Sequence, residues 1–127
     1  MNDLRSPLAR ARGLGSGKTG TGHFWTQRVT AVALALLTPW LVWMLVSMAG
    51  GDAMQAYAVL RHPLNALLLA AFCIAMFWHA KLGLQVVIED YVHTRATEVT
   101  LQLLNVFLCT LGAIASVFAI FRIALTA

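Results

Sequence analysis

Three long apolar runs dominate the pattern of hydrophobic and polar positions along the chain. They cover Val29 to Met48, Pro63 to Ile88 and Val99 to Phe121, and one charged residue, Lys81, interrupts the second. Each run can cross about 30 Å of hydrocarbon as a helix rising about 1.5 Å per residue. Because a spanning segment must satisfy its own backbone and no alternating strand pattern recurs, the runs predict three transmembrane helices.

The composition indicates a membrane protein and excludes a soluble domain of this size. Of the 127 residues, 60% are hydrophobic and 11% are charged. We therefore expect an all-α membrane protein, a three-transmembrane-helix bundle, at residues 28–127. Its helices should cover about 28–49, 63–90 and 99–124, and a flexible, basic, Gly-rich tail should precede them at residues 1–27.

The basic residues predict how the chain is oriented. Five of them precede the first span, whereas the first connection offers only Arg61. Since Lys and Arg are enriched on the cytoplasmic side, we expect a multi-pass protein of a bacterial inner membrane with a cytoplasmic amino terminus and a periplasmic carboxyl terminus. Attraction to the anionic lipid bilayer accounts for the basic tail, so nucleic acid is not an expected partner.

One histidine lies deep in an apolar run. His79 is 16 residues after Pro63 and 10 residues before Glu89, which puts it about 15 Å from the predicted cytoplasmic boundary. The other three histidines lie near span ends or in connections, where water can reach them. A deep imidazole needs a partner, so His79 is either hydrogen-bonded to another helix or an axial ligand of haem iron.

Three further residues of the same helix are candidates for a site. Gly83, four residues after His79, leaves room on its face for a flat macrocycle, although a close helix contact would use it equally well. Asp90 and Tyr91 follow at the polar end, about 17 Å along the helix from His79. They suit a neutral quinone that needs hydrogen bonds and a proton route, or else an interfacial anchor.

A single deep histidine also predicts a partner. It gives haem iron one protein ligand, so a bis-histidine site would need the second from another subunit. Three short helices cannot both enclose a cofactor and form a substrate-oxidising domain. We therefore expect a part of a larger enzyme complex, with no catalytic residue in this chain.

The run from His79 to Val92 resembles a known family motif. Its pattern, H-x-x-x-G-x-x-x-[VI]-x-x-D-Y, is similar to that of the succinate dehydrogenase hydrophobic membrane anchor subunit, the small partner of the cytochrome b subunit in respiratory complex II. The segment from His23 to Ala31 resembles the stretch before the family's first helix, and three spans match its architecture.

The resemblance implies a role for each matching residue. His79 would be an axial ligand of haem b shared with the cytochrome b subunit, and Tyr91 would hydrogen-bond ubiquinone, the substrate, with Asp90 beside it. Arg28 would serve a haem propionate or the quinone pocket, and His23 is a less secure propionate contact. The implied partners are the cytochrome b membrane subunit, the iron–sulfur subunit and the flavoprotein subunit.

Two other classes of function are the alternatives. A small transporter subunit would use His79, Lys81 and Asp90 as a proton pathway. A cofactor-free membrane tether would use none of them. A fumarate reductase anchor is a nearer variant of the main interpretation.

Overall fold

Helices account for almost all of the structure, a computed structural model that describes residues 6–13 and 19–126. In chain order they are α1 (Pro7–Ala11), α2 (Gly20–Met48), α3 (Ala53–Arg61), α4 (Pro63–Tyr91) and α5 (Arg95–Leu125). No strand occurs among these described residues, and α2, α4 and α5 are each long and apolar enough to cross a membrane. The predicted all-α protein with three transmembrane helices is therefore confirmed.

The amino-terminal region differs in part from the predicted tail. Residues 1–5 and 14–18, on which much of the predicted flexible, basic tail falls, lie outside the described residues. Between them, α1 is a short helix whose first turn is capped by Ser6, which accepts a hydrogen bond from the backbone N of Ala9 at 3.2 Å. The division into tail and membrane domain stays a prediction.

The first membrane helix, α2, begins at Gly20 rather than near residue 28. The added turns are polar and rich in glycine, so the apolar pattern did not predict them. Once a helix has formed, each further residue adds one backbone hydrogen bond without a new nucleation cost. These turns also bring Gln27 against α4, where its Nε2 lies 3.5 Å from Nε2 of His79.

The connection between the first two spans contains a helix that the sequence pattern did not predict. Helix α3 starts after Asp52, whose carboxylate accepts a hydrogen bond from the backbone N of Gln55 at 2.8 Å. The side chain of Asn65 donates to the carbonyl of Val59 at 2.9 Å, which fastens α3 to the start of α4. The short connection thus folds back on the membrane helices.

Helix α4 lies between the other two spans. It packs against α2 and α5, whereas α2 and α5 make no close backbone contact within the described part of the chain. Small side chains allow the close approach of α4 and α5, where Ala66 and Ala70 are buried with Ile120. Most large apolar side chains instead point outward, such as Trp43, Phe107 and Phe118, and are available to lipid or other subunits.

A buried amide also joins α4 to α5. Asn105 is only 7% exposed, and its Nδ2 donates to the backbone carbonyl of Lys81 at 2.9 Å. Its Oδ1 accepts from Sγ of Cys109 at 3.4 Å. Interhelical hydrogen bonds of this kind contribute about 0.6 kcal/mol on average in membranes, so the amide adds specificity to an interface that apolar packing stabilises.

Gly112 of α5 lies directly against the Phe77 ring of α4, and substitution there should loosen the pair. A Cβ at this position would lie 2.5 Å from Cε1 of Phe77. We expect Gly112→Ala to destabilise the protein by about 1–3 kcal/mol, the usual cost of overpacking. Thermal unfolding in mild detergent would measure it.

A matched control is Gly22→Ala. That glycine is also helical, but an added Cβ would meet nothing within 4 Å. The control should be neutral or slightly stabilising, because alanine favours helix. Equal stability of the two variants would contradict the close contact at Gly112.

Candidate functional site

The deep histidine of α4 faces α2, and both of its ring nitrogens lie near polar side chains. Nδ1 of His79 lies 3.0 Å from Oγ1 of Thr30. Nε2 lies 3.5 Å from the amide nitrogen of Gln27, a long separation that corresponds at most to a weak hydrogen bond. The half-buried imidazole is therefore held firmly on one edge and loosely on the other.

Thr30 is itself fixed by its own helix. It is 8% exposed, and its hydroxyl lies 2.9 Å from the carbonyl of Thr26 and 3.1 Å from that of Gln27. Such back-bonding to the preceding turn is common for threonine inside membrane helices. It holds the Thr30 oxygen in place beside the His79 ring.

A cleft of about 640 Å³ opens between α2 and α4 on the Nε2 side of the histidine. Its apolar walls include Ala31, Leu82 and Val86. The half-buried side chains of Gln27 and Gln85 also line it, and the exposed side chains of His23, Arg28 and Glu89 are at its mouth. A few polar groups on a mainly apolar cleft are typical of sites for small molecules and cofactors.

The charged groups at the mouth are oriented by their neighbours. The guanidinium carbon of Arg28 lies 5.1 Å from the centre of the Phe24 ring, within the range of a cation–π interaction. The Gln85 amide donates to Oε1 of Glu89 at 2.9 Å. One cation and one carboxylate therefore flank the entrance to the cleft.

One polar atom in the cleft has no partner. Oε1 of Gln27 is buried without a hydrogen bond to any described residue. Burying an unsatisfied amide oxygen is costly, so such an atom is typical of a site that is completed by another molecule or chain.

Gly83 lies one turn after His79 on the same side of α4. An added Cβ there would meet only the Gln27 amide nitrogen, at 4.0 Å. A close contact between helices of this chain therefore does not require the glycine. Its effect is to leave open space beside the histidine.

Asp90 and Tyr91 do not line this cleft. Both are exposed at the end of α4, and the Tyr91 side chain is 80% exposed. The Tyr91 hydroxyl makes no hydrogen bond to the described part of the chain. The structure thus brings His79, Arg28 and His23 to one cleft and leaves the Asp-Tyr pair at a separate surface.

Lys81 lies on another side of α4 from His79. It lines a cleft of about 290 Å³ between α4 and α5, together with residues such as Trp78 and Cys109. A proton-conducting subunit would need a path that joins His79, Lys81 and Asp90. These three side chains do not share one cleft.

Of the site residues that were absent from the sequence-based candidates, Gln27 and Thr30 are the ones that approach the His79 ring. A signal for them existed, because His23, Gln27 and Thr30 follow the spacing i, i+4, i+7 and so share one face at the start of α2. The pattern became informative only when α2 was found to begin at Gly20.

These features define a class: a multi-pass membrane protein with a half-buried histidine, deep in a membrane helix, beside a cleft that has polar groups at its mouth. Residues 2–119 match the family described as "Succinate dehydrogenase/Fumarate reductase transmembrane subunit". The chain belongs to this family. The match covers all three membrane helices except the last turns of α5.

Curated relatives agree with the family match. The chain is 33% identical over 119 residues to the succinate dehydrogenase hydrophobic membrane anchor subunit of Rickettsia bellii, covering 94% of this chain and 95% of that one. It is 37% identical over 86 residues to the subunit of the same name from Paracoccus denitrificans, covering 68% of this chain and 67% of that one. No solved structure matches the chain. The resemblance seen in the motif is therefore confirmed, and a bacterial inner membrane fits these relatives.

Proposed function

We propose that this chain is the membrane anchor subunit of a succinate:ubiquinone oxidoreductase that shares haem b through His79 and forms part of the ubiquinone site. The observation that carries the proposal is His79 itself, held by Thr30 at a cleft whose mouth carries the guanidinium of Arg28. Family membership supports the anchor role. The haem and quinone roles rest on the chemistry of the residues and on the motif.

The side chains at the cleft fit a haem. His79 has one nitrogen engaged with Thr30 and the other only loosely contacted, which is how a neutral imidazole is prepared for iron. Arg28 and His23 at the mouth suit two carboxylates such as haem propionates. The unpartnered Oε1 of Gln27 and the open space at Gly83 are consistent with a further group in the cleft.

A bound haem b would supply reversible one-electron transfer between the relay of the partner subunits and the membrane. This chain's residues would hold it: His79 at the iron, and Arg28 at a propionate. Of the four histidines, His79 alone lies deep in an apolar run of the sequence, so a second axial histidine would come from the cytochrome b subunit.

Ubiquinone would bind near the carboxyl-terminal end of α4, where Asp90 and Tyr91 lie. Tyr91 can donate a hydrogen bond to a quinone carbonyl, and Asp90 can pass protons from water. Both side chains are exposed and so accessible to a substrate or a partner. A pocket would form there when another subunit covers this surface.

The partners follow from the same assignment. The flavoprotein subunit would oxidise succinate, the iron–sulfur subunit would carry the electrons, and the cytochrome b subunit would pack against the membrane helices. With the amino terminus in the cytoplasm, the α4–α5 connection faces the soluble subunits. This chain then acts by docking them and by shaping the haem and quinone sites, without carbon chemistry of its own.

Purification through an affinity tag on this chain tests the proposal. We expect a flavoprotein, an iron–sulfur protein and a second membrane protein to accompany it in mild detergent. Succinate should reduce a b-type absorption band in that complex. The chain purified without these subunits and without haem would contradict the proposal, and ion flux in vesicles would then favour the transporter alternative.

The ratio of succinate oxidation to fumarate reduction distinguishes the two directions of the reaction.

A further inference from the structure

Among the described residues, Thr30 provides the hydroxyl that hydrogen-bonds the His79 ring, and the bonds of that hydroxyl to its own helix favour one placement of the ring proton. A threonine hydroxyl has one hydrogen to donate and lone pairs that accept. Carbonyls of Thr26 and Gln27 lie 2.9 Å and 3.1 Å from Oγ1, and a carbonyl can only accept. Once the hydrogen points at either carbonyl, Oγ1 can serve His79 only as an acceptor.

Nδ1 of His79, 3.0 Å from that oxygen, must then be the protonated nitrogen. In a neutral imidazole the other nitrogen, Nε2, consequently carries a lone pair. Nε2 is on the side of Gln27, which lines the α2–α4 cleft, whereas Thr30 lines a separate apolar groove on the other side. The lone pair is therefore presented on the side where a ligand would bind.

We propose that Thr30 is a positioning residue for haem ligation: its hydroxyl fixes the Nδ1-protonated tautomer of His79 and holds the ring so that Nε2 is the iron ligand. The inference rests on the proposed haem site and adds to it the residue that sets the state of the ligand. Outer-shell partners of this kind typically change metal affinity about 10- to 100-fold.

The same hydrogen bond should affect the electronic properties of the iron. An acceptor on Nδ1–H makes the imidazole a stronger donor, which favours the oxidised metal. Removing the acceptor should raise the reduction potential of the haem. A threonine that only fills space in the helix interface would leave the potential unchanged when replaced by a residue of the same shape.

The test compares Thr30→Val with Thr30→Ser in the complete purified complex. Valine keeps the shape of threonine without the hydroxyl, and serine keeps the hydroxyl without the methyl group. We expect the valine variant to bind haem about 10- to 100-fold more weakly and to show a raised midpoint potential and altered low-spin resonance signals. The serine variant should restore the wild-type potential.

Thr38→Val is the matched control. Thr38 is on the same helix, and its hydroxyl also bonds to its own backbone, the Leu34 carbonyl at 2.6 Å, but it is exposed and does not contact His79. This variant should leave haem content and potential unchanged. Thr30→Ala gives a second hydroxyl-free variant if the valine complex does not assemble.

The possible failures are distinguishable. If wild-type complex and Thr30→Val have the same potential and haem affinity while His79→Ala loses the haem, Thr30 is not a positioning residue, although the haem site stands. If the wild-type complex binds haem and His79→Ala leaves its spectrum unchanged, the ligand assignment itself is overturned, and the role of Thr30 with it. A wild-type complex without haem overturns both.

Discussion

Replacing His79 with alanine is expected to remove haem b from the complex. Of the four histidines in the sequence, His79 alone lies deep in an apolar run, and alanine has no side-chain atom that can bind iron. Loss of a residue that only hydrogen-bonds a metal ligand lowers metal affinity about 10- to 100-fold. Loss of the ligand itself should therefore reduce haem content by at least about tenfold. The measurement is a succinate-reduced minus oxidised spectrum, normalised to flavin.

His62→Ala is the control for this experiment. It also removes a histidine, but from the exposed N-cap position just before α4, where the side chain makes no capping hydrogen bond. Its spectrum should match that of the wild type. A b-type band that survives unchanged in His79→Ala would contradict the assignment and place the ligands elsewhere in the complex.

The membrane helices could be predicted from the sequence because length and apolarity alone define a span. Their ends could not be placed as well, because the deciding features are polar. Helix α5 begins at Arg95 rather than near residue 99, since Glu98 lies in its first turn, where a negative charge is favoured. The first turns of α2 are stabilised by continuation of the helix, which an apolar pattern does not register.

Spacing assigned residues of one helix to the site, whereas residues of α2 across the interface could be assigned only through the family motif, as Arg28 and His23 were. The spacing of His79 and Gly83 already places them on one face of α4. Thr30 and Gln27 approach that face only through the packing of α2 on α4. A single sequence does not reveal which residues of two packed helices lie opposite each other. Asp90 shares a helical direction with His79 by spacing and lies about three turns further along the axis. It does not line the cleft, although its neighbour Glu89 does.

Tyr91→Phe should lower ubiquinone reduction while leaving haem and assembly intact. The substitution keeps the aromatic ring and removes only the hydroxyl, which bonds to no described residue of this chain. A hydrogen bond contributes about 0.5–1.5 kcal/mol net, so the loss of one to a quinone carbonyl should reduce kcat/KM for ubiquinone about two- to tenfold. Succinate-driven reduction of a short-chain ubiquinone would measure this.

Two comparisons separate a quinone contact from a general defect. Electron transfer from succinate to a water-soluble dye, which does not need the membrane site, should be unchanged in Tyr91→Phe. Tyr57→Phe alters the chain's other tyrosine, which is on α3 at the opposite end of the bundle, and should resemble the wild type. Because α4 carries His79 near its middle and Tyr91 at its end, a selective loss of quinone turnover with full haem content would show that one helix serves two separate sites. Unchanged turnover at limiting ubiquinone would exclude an essential hydrogen bond from the phenol.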